Sequence, residues 1–234
     1  DLWYAYSTVG KLYLTIPGLG DFYCCAALIR YHILATAAQC VHKGKNGGFY
    51  TNFEFVPAYR SGTAPFGVWD WDTVWIPSVW AATGGTLPHT ADYALIELQD
   101  DFYNGLLQRA GSVLGFLGYA SNKLRPNHAT LLGYSSSHDA GEKLHQVSAK
   151  DYRTRSPNNV EYGSDMRGGS AGGPIIQDFG DTATAKWIGC LSTQYNSTAT
   201  KLQGASIPNS TFTGLLGTAC GDILGSAVEG IGQE

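Results

Sequence analysis

Two groups of residues have types and spacings that could do chemistry. Gly168-Gly169-Ser170-Ala171-Gly172 fits the Gly-x-Ser-x-Gly motif, in which the central serine is a nucleophile. That motif requires a strand before it, a helix after it and a histidine later in the chain. Here a strand-like run begins at Pro174, and the last histidine is His145. We therefore do not expect Ser170 to be a nucleophile of this kind.

The second group is a cluster of histidines and carboxylates. His138 and His145 flank Asp139 and Glu142, but their spacing fits no recognised metal motif. We therefore expect a solvated loop, no metal and no other cofactor. Asp92, taken alone, is typical of a turn that precedes a strand.

Composition favours a globular protein rich in strands and loops. Of 234 residues, 30 are Gly, 12% are aromatic and only 15% are charged, and the formal net charge is −4. Polyanion-binding domains are usually strongly basic, so we expect no nucleic-acid partner. No apolar run approaches the roughly 18 residues of a membrane helix, so we expect no membrane partner either.

Several features are typical of a secreted protein. Five cysteines and the sequons at Asn196 and Asn209 favour an oxidising, extracellular setting, and both asparagines are glycosylation candidates. The chain begins at Asp1 with neither Met nor a signal pattern, which suggests a processed N-terminus. We therefore expect secretion.

Short apolar runs separated by Gly, Pro, Asn and Ser predict many short strands, as in a β-sandwich or barrel. The strand-like runs span residues 12–16, 22–29, 33–37, 53–56, 93–98, 112–117, 174–177 and 186–193. Helical spacing appears only near the C-terminus, where Thr213 is a possible N-cap. The polar stretch 99–111 is expected to connect two β lobes.

Four tryptophans form an aromatic group: Trp69, Trp71, Trp75 and Trp80. We favour packing of this segment against the β lobe. The alternative is an exposed platform that binds a glycan or a protein partner. The two interpretations predict buried and exposed indole rings, respectively.

Three landmarks, in this order, resemble the trypsin-like serine peptidase family. They are Cys24-Cys25-Ala26-Ala27-Leu28-Ile29 with Ala35-Thr36-Ala37-Ala38-Gln39-Cys40, then Ala91-Asp92-Tyr93-Ala94-Leu95, then Gly168-Gly169-Ser170-Ala171-Gly172-Gly173-Pro174. The secreted glutamyl-endopeptidase-like branch is the most similar, since segments 51–60 and 64–67 also resemble it. The resemblance covers about residues 22–193.

This resemblance implies an all-β fold of two six-stranded-type antiparallel β-barrels with a short C-terminal helix. The whole of 1–234 would be a single peptidase-like unit. Its first barrel would span about 1–104, its second about 105–210 and its helix about 211–231.

The resemblance also implies a catalytic triad in which two positions hold other residues. Gln39 stands where active members have the histidine, Ala171 where they have the serine, and Asp92 in the place of the orienting acid. An amide has no basic site near neutral pH and alanine has no hydroxyl, so we expect no hydrolysis. The family's oxyanion hole would use the backbone N–H groups of Gly169 and Ala171, which need no side chain.

The same resemblance assigns neighbouring residues. Gln39 is expected to donate a hydrogen bond to Asp92 and to keep it ionised. Cys24 and Cys40 have the family's disulfide spacing of 16. Cys25, Cys190 and Cys220 cannot all pair, so one thiol is expected to stay unpaired.

Two positions bear on activation and specificity. In trypsin, the residue before the nucleophile is an aspartate, and its pairing with a newly cut N-terminus activates the enzyme. Ser170 stands at that position here, so we expect no activation of this kind. Glutamate-specific relatives use a histidine on the strand lining the pocket, and residues 190–193 contain none. Asp165 is expected to be a solvated loop acid.

Two functions follow. The first is a secreted, catalytically inactive peptidase homologue (a pseudoprotease) that binds a protein or peptide in the inter-barrel cleft, or a glycan near Trp69, Trp71 and Trp75. The alternative is an active-site-substituted form of a secreted trypsin-like or glutamyl-endopeptidase-like serine endopeptidase. Replacement of the serine alone would serve that alternative, so the additional Gln39 favours the first.

Overall fold

The structure is a computed structural model that describes residues 2–45, 47–180, 183–195, 199–221 and 228–232. Its strands are β1 Val9–Ile16, β2 Gly20–Leu28, β3 Ile33–Thr36, β4 Thr51–Pro57, β5 Trp69–Pro77, β6 Ala94–Leu98, β7 Asp101–Tyr103, β8 Leu106–Gln108, β9 Gly118–Tyr119, β10 His128–Gly133, β11 His145–Arg155, β12 Asn159–Gly163, β13 Pro174–Gln177, β14 Lys186–Cys190, β15 Thr193–Gln194, β16 Leu202–Ser206 and β17 Val228–Gly232. Its α-helices are α1 Ser78–Thr83, α2 Ala110–Leu114 and α3 Ser210–Ala219. Short 3-10 helices span Tyr6–Thr8, Ala38–Cys40 and Asp139–Gly141.

Two large sheets contain most of these strands. The first has the order β17-β5-β4-β1-β2-β3-β6, and because β5 also pairs with β6, six of its strands close into a barrel. The second has the order β15-β16-β12-β11-β10-β13-β14-β9, in which β9 and β14 run parallel. The hairpin of β7 and β8 lies between them in the chain. The predicted all-β fold with two lobes and a short C-terminal helix is confirmed.

The first barrel forms because apolar residues alternate along its strands and meet in one core. Leu12 of β1 lies opposite Phe55 of β4, and Val74 of β5 lies opposite Ile96 of β6. All four side chains are fully buried. Burial of each such side chain stabilises the fold by roughly 1.5–3 kcal/mol.

The tryptophan group belongs to this core. Trp69, Trp71 and Trp80 are 2%, 7% and 1% exposed, and the partly buried Trp75 packs against the same cluster. The packing interpretation is therefore confirmed. The exposed platform expected in the alternative is contradicted at Trp69 and Trp71, because the barrel covers their rings.

The predicted strand at 112–117 is wrong, because α2 (Ala110–Leu114) covers the first half of that range. Arg109 precedes the helix, and Gly115 ends it with φ = 71°. Gly111 lies against the backbone of Tyr31, where an added Cβ would be 2.5 Å from the Tyr31 Cα. Gly115 permits the turn that ends the helix, and Gly111 permits close approach to the Tyr31 backbone. The apolar run therefore does not form a strand.

The C-terminal helix is shorter than the predicted 211–231. It begins after Asn209, whose side-chain oxygen accepts a hydrogen bond from the Thr211 N–H at 2.9 Å, so Asn209 is the N-cap and Thr213 is not. The end of that range is a strand: β17 pairs with Thr73–Pro77 of β5. The rest of this edge of β5 is available to β17 because β4 pairs only with the first two residues of β5. The helical spacing of apolar residues near the C-terminus did not indicate that a strand could pair there.

The predicted disulfide between Cys24 and Cys40 is confirmed, and it closes a loop with a sequence separation of 16. Replacing both with alanine should lower the free energy of unfolding by about 3 kcal/mol, because a cross-link of this length restricts the unfolded chain. Urea unfolding under non-reducing conditions measures the change. The native chain in reductant serves as the control and should match the double variant. An unchanged unfolding midpoint in both would contradict the prediction.

No helix within the described ranges is long and apolar enough to cross a membrane.

Candidate active-site cleft

A cleft of about 460 Å³ lies where the two sheets meet, and it collects residues that are far apart in the chain. Gln39 and Ala171 both line it, and Gln39 is bonded to Asp92 directly behind it. The structure thus brings together the three residues that the sequence landmarks single out. Its other walls include Gly168, Gly169, Ser170, Ser192, Thr193, Gln194, Tyr195 and Gln203.

Strand pairing places Gln39 beside Asp92. β3 ends at Thr36, which lies opposite Ala94 at the start of β6. The chain leaving β3 turns through a single 3-10 turn that contains Gln39, while Asp92 precedes β6. The Cys40–Cys24 disulfide ties this turn to β2.

Asp92 accepts hydrogen bonds at both carboxyl oxygens. The Gln39 backbone N–H donates to Oδ1 at 2.8 Å, and Gln39 Nε2 donates to Oδ2 at 2.8 Å. Ser192 Oγ donates to the same Oδ2 at 2.5 Å, and Gln39 Nε2 also donates to the Ser192 carbonyl oxygen at 2.9 Å. The expected Gln39–Asp92 hydrogen bond is present. The role of Ser192 was not predicted, because only the fold brings it within reach.

Burial has a second effect on Asp92. Its side chain is inaccessible to solvent, and this desolvation raises the pKa of its carboxyl above the ordinary value. Hydrogen bonds from Ser192 and Gln39 lower that pKa, because they favour the ionised form, but they do not cancel the rise. The raised pKa opposes the expectation that Gln39 keeps Asp92 ionised, although both oxygens are supplied with donors.

The glycine-rich loop leaves two backbone donors for a ligand. The N–H groups of Ser170, Gly172 and Gly173 donate to carbonyl oxygens of the protein. Within the described residues, those of Gly169 and Ala171 donate to no protein acceptor. Both residues line the cleft. Backbone N–H groups of alternate residues in such a loop can form a nest that binds a carbonyl oxygen or an anion.

Cys25 supports this loop from below. Its backbone N–H donates to the Ala171 carbonyl at 2.7 Å, and its Sγ donates to the Gly169 carbonyl at 3.1 Å. The thiol also accepts from the Tyr134 N–H at 3.1 Å. Burial raises the pKa of this thiol to about 12, so it stays a neutral donor. No sequence pattern predicted this support.

Ser170 is part of the support as well. It is 1% exposed, donates to the Arg167 carbonyl at 2.7 Å and accepts from Gln203 Nε2 at 2.8 Å. Gln203 in turn accepts from Ser164 Oγ at 2.7 Å. Ser170 thus takes part in a chain of neutral hydrogen bonds, at the position where trypsin has the aspartate that pairs with its N-terminus. The strand that follows this segment, β13, also excludes the strand–turn–helix context of a Gly-x-Ser-x-Gly nucleophile.

Gly172 allows the loop to reach the first barrel. Its φ is 81°, and an added Cβ would lie 2.1 Å from the Cys25 carbonyl oxygen and 2.2 Å from Thr36 Oγ1. Gly172→Ala should therefore lower the free energy of unfolding by about 3 kcal/mol through strain and overpacking. Gly163→Ala is the matched control, since no atom lies within 4 Å of its added Cβ, and should change stability by less than about 0.5 kcal/mol. Equal denaturation midpoints for the two variants would contradict this.

The remaining candidate residues lie outside the cleft. His138 pairs with Asp165 at 3.2 Å and His145 with Asp139 at 3.1 Å, while Glu142 pairs with Lys11 at 3.2 Å. Cys190 is a buried thiol whose Sγ donates to the Thr36 carbonyl at 3.4 Å.

Only one of the two glycosylation candidates lies within the described residues. Asn209 caps α3, and its glycosylation stays a prediction. Asn196 lies outside the described residues.

Comparison with solved structures gives matches that cover more than nine tenths of this chain. The thermostable serine protease AL20 from an extremophilic microorganism has 25% identity and a TM-score of 0.79 over 92% of this chain and 97% of its own. Protease Anisep from Arthrobacter nicotinovorans has 25% identity and a TM-score of 0.77 over 92% and 96%. A Glu endopeptidase has 18% identity and a TM-score of 0.73 over 93% and 92%. No family model and no curated protein matches the chain.

These matches extend over both sheets, so the likeness is to the whole fold and not to one lobe. The sequence landmarks and the cleft between the sheets agree with them. The chain has the fold of the trypsin-like serine proteases, and a Glu endopeptidase is among its structural neighbours.

Proposed function

We propose that this protein is a secreted, catalytically inactive homologue of the trypsin-like serine peptidases that binds a protein or peptide segment in the cleft. The observation that carries the proposal is the state of Gln39. Its amide gives both Nε2 protons to fixed acceptors, Asp92 and Ser192, and stands beside Ala171 in the same cleft.

The chemical reason is the loss of both groups that would move the proton. A serine hydroxyl attacks only when a neighbouring base removes its proton, and Gln39 and Ala171 supply neither. In a comparable triad, loss of either group lowers kcat by about 2 × 10⁶, and loss of the second adds little. Hydrolysis by the usual route would thus be absent.

Ligand binding by the cleft does not depend on the lost catalytic groups, and two features support it. The N–H groups of Gly169 and Ala171 are available to a carbonyl oxygen. β15, which lines the cleft at Thr193 and Gln194, is the terminal strand of the second sheet and pairs only with β16 among the described strands. An open strand edge binds an extended peptide through main-chain hydrogen bonds.

Secretion is part of the same proposal. The Cys24–Cys40 disulfide is typical of proteins that fold in an oxidising compartment. The sequons are consistent with that compartment. We expect the chain to be found outside the cell.

A selection experiment tests the proposal. The native chain is incubated with randomised eight-residue peptides, acetylated and amidated at their ends, and the retained peptides are identified by mass spectrometry. Ala171→Phe, which fills the cleft, is the matched control, and its thermal unfolding is compared with that of the native chain. We expect peptides that are retained uncut by the native chain and at least about tenfold less by the variant, as loss of about 1.4 kcal/mol of binding implies. Cleaved peptides, or equal retention by both proteins, would refute the proposal.

A further inference from the structure

We infer that the cleft recognises an intact peptide amide and rejects a C-terminal carboxylate, because Gln39 presents its carbonyl oxygen to the ligand. This inference rests on the proposed function and names the chemical class of its ligand. The structural feature behind it is the fixed orientation of one amide group.

The surroundings of Gln39 determine which end of its amide faces the cleft. Nε2 lies 2.8 Å from Asp92 Oδ2 and 2.9 Å from the Ser192 carbonyl oxygen. The Ser192 carbonyl oxygen can only accept hydrogen bonds, whatever the protonation state of Asp92, so the amide atom 2.9 Å from it must be the NH₂ group. A flipped amide would place Oε1 against this carbonyl oxygen.

Oε1 is therefore the end of the amide that remains for a ligand. It accepts no hydrogen bond from the described residues, and Gln39 is one of the residues that line the cleft. A carbonyl oxygen has two lone pairs and no proton to donate. The first barrel thus contributes a hydrogen-bond acceptor to the site.

The loop before strand β13 of the second sheet contributes donors. The N–H groups of Gly169 and Ala171 have no protein acceptor within the described residues. Two donors and one acceptor match the two polar groups of a peptide bond, a carbonyl oxygen that accepts and an N–H that donates. The carbonyl oxygen of the ligand would occupy the nest, and the N–H would donate to Gln39 Oε1.

A carboxylate lacks this match. One of its oxygens can occupy the nest, but the other would meet Gln39 Oε1, which is also an acceptor. Two facing acceptors leave both without a hydrogen bond, and rejection of a ligand by such an unpaired group is a strong source of specificity. The fully buried Asp92, bonded to the same amide, adds negative charge on that side whenever it is ionised.

The test compares two ligands that differ in one group. Peptides retained in the selection are shortened one residue at a time, and each shortened peptide is made as a C-terminal carboxamide and as a carboxylate. Isothermal titration gives both dissociation constants. One of the shortened peptides will place its C-terminal group at the N–H groups of Gly169 and Ala171. For that peptide, we expect the native chain to bind the carboxamide at least about tenfold more tightly than the carboxylate, equivalent to about 1.4 kcal/mol. Equal or tighter binding of the carboxylate in every register would overturn the inference while leaving peptide binding, and so the proposed function, intact.

Gln39→His gives a second readout that a purely structural role of Gln39 would not change. Ala171 is kept, so the peptide is not cut. Imidazole titrates near an ordinary pKa of about 6.5, and its protonated form presents an N–H in place of an acceptor. We expect the preference for carboxamide to fall or invert below about pH 6.5 in this variant and to stay constant in the native chain. The same pH profile in both proteins would overturn the inference; failure of any peptide to bind the native chain would instead overturn the proposed function.

Discussion

Gln39→His and Ala171→Ser, introduced together, should produce peptide hydrolysis that the native chain lacks, with a gain of up to about 10⁶-fold in rate. The histidine would take the place of an amide that already contacts Asp92, and the serine would stand beside the free N–H groups of the glycine-rich loop. Each single substitution should give almost no activity, because a base without a nucleophile and a nucleophile without a base are equally ineffective. Cleavage of peptides retained by the native chain, followed by mass spectrometry, measures the gain.

Asp92→Ala in the double variant is the control for the mechanism. Loss of the acid that orients the histidine lowers the rate of a comparable triad by about 10⁴. A double variant that cleaves as fast without Asp92 would show that its activity arises elsewhere. Activity in Ala171→Ser alone would likewise contradict the account.

Asp92→Ala in the native chain should lower the free energy of unfolding by about 3 kcal/mol. It removes three hydrogen bonds, two of them donated by the partly buried Gln39, at about 1–1.5 kcal/mol each. Asp165→Ala, at a side chain that is 44% exposed, is the control and should cost at most about 1 kcal/mol. Chemical denaturation measures both.

The effect of Asp92→Ala should also depend on pH. Burial raises the pKa of Asp92 in the folded state above the unfolded value of about 3.9. The unfolded chain therefore loses this proton first, so the contribution of Asp92 to stability is complete below about pH 3.9 and declines as the pH rises through the folded pKa. The difference in free energy of unfolding between the native chain and Asp92→Ala should therefore decrease from pH 4 upward. A gap that widens with pH would contradict the raised pKa.

Local patterns predicted the strands that carry the landmarks. β1, β2, β3 and β4 follow from alternation and turn residues, and they support the turn that holds Gln39. β11 was missed because its exposed face is mostly polar and its other face only half-buried, so it lacks a continuous apolar period. β5 was not predicted as a strand although its tryptophans alternate, because nothing local shows that the barrel closes there.

Within the site, the family likeness led to the residues on the landmarks but not to their supports. The hydrogen bond from Gln39 to Asp92 could be expected because the two residues stand at the histidine and aspartate positions of the family's catalytic triad. Ser192, Gln203 and Cys25 contact the site from 33 to 144 residues away in sequence, and no spacing rule connects them. The prediction of one unpaired thiol among Cys25, Cys190 and Cys220 is wrong, because Cys25 and Cys190 are both buried thiols. Burial beneath the loop makes Cys25 a neutral hydrogen-bond donor.

Fluorophosphonate labelling of the native chain beside Gln39→His/Ala171→Ser tests the central claim most directly, because the reagent reacts only with an activated serine in a formed oxyanion site. The account predicts that the double variant labels and the native chain does not. Labelling of the native chain would contradict the claim that its chemistry is absent. Failure of both to label would contradict the claim that the cleft is intact.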